Sequence, residues 1–158
     1  VLWLILALVA LVLLTAWVTW TAMRIERLGA RCEAAWQSLD AQLVRRASAL
    51  REVTHDQMPI ASGVHPVVTA ALDARRDERA RAENEISALI AALPAEHVDE
   101  RLAEACSGVQ VARTFYNDAV RAANALRAQR LPRLLGLGRA TPVPPYFDID
   151  DAPGTGRR

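Results

Sequence analysis

The chain has 158 residues, 52% hydrophobic and 23% charged, with nineteen basic residues against eighteen acidic ones and a formal net charge of +1. Nucleic-acid binding needs a strongly basic surface with interleaved aromatics, and a near-neutral chain with 5% aromatic residues does not supply one, so no nucleic-acid partner is expected. The two cysteines, Cys32 and Cys106, form neither a CxxC pair nor a disulfide-framework spacing, and thiols of this kind commonly serve as small buried hydrophobes.

Residues 1–23 carry no charge, and 18 of the first 20 are aliphatic or aromatic. As a helix rising about 1.5 Å per residue they extend about 34 Å, enough to cross a bilayer core. A cleaved signal peptide would need a basic start, a shorter apolar run and a small-x-small site. Here no Lys or Arg precedes the run, and Trp17 and Trp20 stand where small residues should be. A buried core helix rarely stays apolar on every face over this length. Trp3 near one end and Trp17 and Trp20 near the other suit membrane interfaces. The segment therefore reads as a retained, single-pass anchor in the cell membrane. Arg24, Arg27 and Arg31 follow it directly, with only Glu26 among them; the positive-inside bias then puts residues 24–158 in the cytoplasm.

From Ile25 the apolar residues run Ile25, Leu28, Cys32, Ala35/Trp36, Leu39, Leu43, Ala47, Leu50 and Val53. Steps of three and four mark one buried helical face. Only Gly29 weakens the pattern, by about 1 kcal/mol, so the anchor helix is expected to continue unbroken to about residue 57. Met58-Pro59 and a loop around Ser62-Gly63 should follow. A second helix is expected to begin with Pro66 in its first turn, where a missing N–H breaks no bond. Val67/Val68, Ala71/Leu72, Ile86, Leu89/Ile90 and Leu93 keep the helical period, but residues 74–85 are very polar. Residues 66–93 form either one helix or two split near Glu83-Asn84, with Asn84 as N-cap. Pro94 stops that segment, and a last helix is expected over 95–131, burying Leu102, Cys106, Val109, Ala112/Tyr116, Val120, Ala123 and Leu126. Residues 132–158 are rich in Pro and Gly, so a largely irregular tail is expected, with Tyr146-Phe147 as its apolar patch. No strand alternation occurs. The expected organisation is an all-α protein: anchor 1–23, helical bundle 24–131, tail 132–158.

Candidate chemistry is sparse. Glu52-x-x-His55 has a spacing used in di-iron bundles, but such sites need a second copy and two further Glu. His97-x-x-Glu100 runs in the opposite order. Phosphate loops, HExxH pairs and serine elbows are missing from the sequence. No metal, cofactor, small-molecule substrate or catalytic activity is expected. All nineteen basic residues are Arg, a bias that points to a high-GC bacterial genome more than to chemistry.

Two blocks resemble a known family. Ala34-Ala35-Trp36-Gln37-Ser38-Leu39-Asp40-Ala41-Gln42-Leu43-Val44-Arg45-Arg46 is similar to a signature of LemA-family proteins, and Ala112-Arg113-Thr114-Phe115-Tyr116-Asn117-Asp118-Ala119-Val120 is similar to that family's second block. Pro132 and the later Tyr146-Phe147 resemble its ending. The chain departs after Arg45-Arg46, where it reads Ala47-Ser48-Ala49-Leu50, and in its reduced Leu93-Pro94 stretch. The resemblance implies a divergent member: an antiparallel four-helix bundle behind one membrane span, with no established enzymatic activity.

If the first and last helices of such a bundle pair antiparallel, Asp40 comes opposite Arg113 and Asn117, and Trp36 opposite Asp118. Trp36, Asp40, Arg45, Arg46, Arg113, Tyr116, Asn117 and Asp118 then form a candidate interhelical polar cluster. It acts either as a register device or as a partner site. The same pairing returns Arg127 and Arg130 to the end holding Arg24, Arg27 and Arg31, a candidate lipid-facing basic collar or simply a solvated helix end. The expected function is a membrane-anchored interaction or scaffold protein, touching the lipid bilayer and protein partners. The alternative is a signalling element that couples the bilayer to the bundle through the first helix.

Overall fold

The structure is a computed structural model that describes residues 1–55, 58–129 and 144–150. It is all-α: α1 spans Leu2–Thr54, α2 Met58–Asp73, α3 Arg79–Ala92 and α4 Glu100–Ala128, with a short 3-10 turn at Ala95–His97. The chain divides into two compact units, Val1–Ala34 with Asp118–Pro145, and Ala35–Asn117 with Tyr146–Arg158.

In the first unit the opening of α1 is exposed on all sides. Its most apolar 18-residue window has no buried residue, and the helix is long and apolar enough to cross a membrane. Two of the hydroxyls in this stretch are satisfied inside the helix. Thr15 Oγ1 donates to the Leu11 carbonyl at 2.8 Å and Thr19 Oγ1 to the Thr15 carbonyl at 2.9 Å, as a hydrocarbon environment requires of a polar group. Burial begins at Thr21, Ile25 and Cys32, the four-and-seven spacing of one helical face. Val120, Ala123 and Leu126 are the buried residues of the α4 portion.

The second unit holds the four-helix packing. Ala47, Leu50, Val64, Val68, Ala71, Ile86, Leu102 and Ala105 form its apolar core, with one to three residues coming from each helix. On α1 the buried set Leu39, Leu43, Ala47 and Leu50 follows the expected face. On α4 the buried residues Leu102, Val109, Ala112 and Tyr116 do so too, whereas Ala105 is the fully buried residue beside half-buried Cys106.

The second helix differs from expectation. It starts at Met58 and contains Ser62, Gly63 and Pro66, eight residues ahead of the expected start. Pro66 removes one intrahelical bond, yet Val64, Val68 and Ala71 are all buried on one face, and this packing outweighs the local break. Residues 74–78 then turn the chain, so the segment is two helices. The division falls ahead of Asn84, which lies inside α3 rather than capping it. Leu93 is extended (φ −68°, ψ 139°), as the residue before Pro94 must be. The last helix begins at Glu100, not 95: Asp99 Oδ1 accepts the Leu102 N–H at 2.8 Å, a side-chain N-cap. Residues 56–57, 130–143 and 151–158, including Arg130 and most of the expected tail, lie outside the described residues.

Candidate functional site

The second unit contains a buried charge network that starts from α3. Arg79, Glu83 and Ile86 are spaced four and seven apart and are all buried, so the face that inserts Ile86 into the core carries two charged side chains with it. Glu83 Oε2 accepts from Arg46 Nη2 of α1 at 2.7 Å, and Glu83 Oε1 accepts from Arg79 Nε at 2.9 Å. Arg46 also donates to the Glu83 carbonyl and to Ser87 Oγ, both at 3.3 Å. Arg79 Nη2 reaches half-exposed Asp40 Oδ1 at 3.4 Å, an ion-pair distance without a hydrogen bond, and Arg46 Nε is likewise buried without one. Two guanidiniums thus share one fully buried carboxylate, with Asp40 closing the chain of charges at the rim.

An aromatic cluster stands in the same unit. Trp36 packs edge-on against Tyr116 and against Phe147, ring centroids 5.6 Å apart in each pair. The Arg76 guanidinium lies 4.3 Å from the Trp36 centroid and 5.9 Å from that of Tyr116, a cation–π arrangement. Asn117 holds the strap that brings Phe147 in: its Oδ1 accepts the Phe147 N–H at 2.9 Å and its Nδ2 donates to the Phe147 carbonyl at 3.0 Å. Phe147 and Ile149 are buried, and Asn84 Oδ1 accepts the Asp150 N–H at 2.8 Å. Residues 146–150 are therefore pinned at three points by side chains from α1, α3 and α4.

Of the residues grouped in the candidate interhelical cluster, the structure places some in contact and pairs others elsewhere. Trp36 and Tyr116 meet. Asp40 pairs with Arg79 of α3 at 3.4 Å instead of the expected Arg113. Arg113 instead stands 3.8 Å from exposed Asp148. Arg45 is a surface residue paired with Glu104 at 3.2 Å. Asp118, expected opposite Trp36, pairs along its own helix with Arg121 at 2.5 Å. Arg76, Arg79 and Glu83 were missed as site residues. Arg79 and Glu83 share their helical face with Ile86, but a reading that follows only apolar residues passes over charged ones on the same face, and Arg76, in the turn before α3, carries no such period.

In the first unit, Arg24, Arg27 and Arg31 are exposed on one side of α1 and line a cleft of about 570 Å³. The facing wall is Ala122, Ala125 and Leu126 of α4, with Trp20 at one end. Arg24 lies 5.6 Å from the Trp20 ring centroid. Arg127 is half-buried and does not line this cleft among the described residues.

The metal-like spacings lead elsewhere. Glu52 Oε1 accepts from Arg101 Nη1 at 2.6 Å in an exposed ion pair, and no group of three or more His, Cys, Asp or Glu is placed to hold a metal among the described residues. Neither Cys32 nor Cys106 is in a disulfide. Compared with family models, curated proteins and solved structures, the chain finds no match. The findings support a membrane-associated, largely helical protein.

Proposed function

We propose that this chain is a membrane-anchored helical scaffold of LemA type, with its bundle on the cytoplasmic side and its role carried by protein contacts rather than by catalysis. The supporting observation is the double use of α1. One unbroken 53-residue helix presents an apolar, wholly exposed stretch at its start and supplies Leu39, Leu43, Ala47 and Leu50 to the packed interior further on. A helix used in both ways makes the anchor part of the domain's architecture. Val111 and Phe115, one turn apart on α4, are 53% and 67% exposed and are the apolar side chains we assign to partner contact.

Orientation is tested by placing a cysteine at exposed Ser107 in a Cys32→Ala/Cys106→Ala background. A membrane-impermeant maleimide should label it only after the cells are opened; labelling in intact cells would overturn the cytoplasmic placement. Photo-crosslinkers at Val111 and Phe115 should give discrete protein adducts in native membranes, and none from exposed Arg81; equal, diffuse labelling from both faces would count against a scaffold. The signalling alternative draws on the same unbroken helix. It requires crosslinks between cysteines at Leu43 and Val109 to change yield with the state of the membrane, and a constant yield would eliminate it.

A further inference from the structure

The Arg-lined cleft of the first unit has three properties that do not follow from a solvated helix end. Its cations share a side: residues 20, 24, 27, 28 and 31 fall within about 100° of arc on a helix of 3.6 residues per turn. Glu26 and Glu33 fall on the opposite side by the same geometry, and no described lining residue is acidic. Its floor is small and apolar, because α4 presents Ala122 and Ala125 where longer side chains would fill the space. It also opens immediately beyond the apolar run, which ends at Met23, the level at which lipid phosphates lie if that run spans the bilayer.

We propose that this cleft binds the phosphodiester of an anionic glycerophospholipid, with Arg24, Arg27 and Arg31 on the phosphate and the Ala122–Ala125 floor against the glycerol backbone. The inference rests on the anchor reading given above and adds the class of lipid. Guanidiniums are suited to it because their planar donor forks match phosphate oxygens. Trp20, held beside Arg24, supplies the amphipathic ring that settles at headgroup depth. Diffuse positive charge would attract anionic lipid to the surface in general; a walled cleft retains one molecule.

The test uses the full chain reconstituted into phosphatidylcholine vesicles containing a minority of phosphatidylglycerol, with the lipid that stays bound read by native mass spectrometry. Phosphatidylglycerol should be enriched at least about fivefold over its bulk share, the factor one Arg near an anionic surface provides. Arg24→Gln/Arg27→Gln/Arg31→Gln should return the ratio to bulk, while the corresponding triple Lys variant, which keeps the charge without the planar fork, should keep only part of the enrichment. Ala125→Phe fills the floor and keeps every charge, and it should also return the ratio to bulk. Wild-type lipid in the bulk ratio, or undiminished enrichment in Ala125→Phe, would overturn the proposal. Glycerol 1-phosphate at the same phosphate concentration should not displace the lipid; displacement would assign the cleft to a soluble phosphate ester. Circular dichroism checks that each variant remains helical. Alkaline-resistant insertion into pure phosphatidylcholine vesicles reports on the anchor separately: insertion without enrichment sinks only the lipid site, whereas failure to insert removes the anchor reading and this one together.

Discussion

Glu83 is the residue on which the buried network depends. Taking a carboxylate and two guanidiniums out of water is expensive, and their mutual attraction offsets that only while all partners are present. Glu83→Leu leaves Arg46 and Arg79, both under 5% exposed, without their shared anion. We expect a loss of about 3–5 kcal/mol, measured by denaturant unfolding of the purified chain. The triple replacement Arg46→Met/Arg79→Met/Glu83→Leu should restore most of that stability, since apolar residues of similar volume substitute for buried ion networks at little net cost. Failure of the triple variant to recover would mean that the network contributes stability in its own right. Asn117 has a different role, because its amide serves both backbone groups of Phe147. Asn117→Ala should cost about 1–2 kcal/mol and release residues 146–150, seen as faster proteolysis there and altered Trp36 fluorescence.

The elements themselves were legible to different degrees. On α1 and α4 the apolar period is long, and the buried residues Leu39, Leu43, Leu50, Val109 and Tyr116 fall on the expected faces. On α2 a Pro and a Gly interrupt the pattern, and local rules place a loop where a helix runs. Gly63 distinguishes the two descriptions. It lies inside α2, and an added Cβ there meets open space, so Gly63→Ala should stabilise by about 0.5–1 kcal/mol through helix propensity. A neutral or negative shift in Tm would favour a loop. Asp99→Ala removes the N-cap of α4 and should cost about 1 kcal/mol, with fraying of the first turn visible in amide exchange.

At the scale of the whole molecule, the apolar opening of α1 makes the strongest demand on the surroundings. Leu8 and Leu11 are 62% and 60% exposed, so neither is needed for packing within the chain. Leu11→Arg should impair membrane insertion by about 2.5–3.5 kcal/mol, measured as loss of alkaline-resistant membrane association, with unfolding of the bundle unchanged. If the variant inserted normally, the span would not be where its composition puts it. The sequence pattern determined this much unaided: an uncharged run apolar on every face, followed by two long faces of helical period, points to the all-α class and the position of the membrane-length segment. Those signals are local, and each residue's neighbours along the chain carry them. What only the tertiary structure decided is which partner each buried polar residue meets. Arg46 meets Glu83 across 37 positions, and Asn117 meets Phe147 across 30. A charged or amide side chain is buried only where a distant segment supplies its partner, and helical periodicity holds no record of that partner.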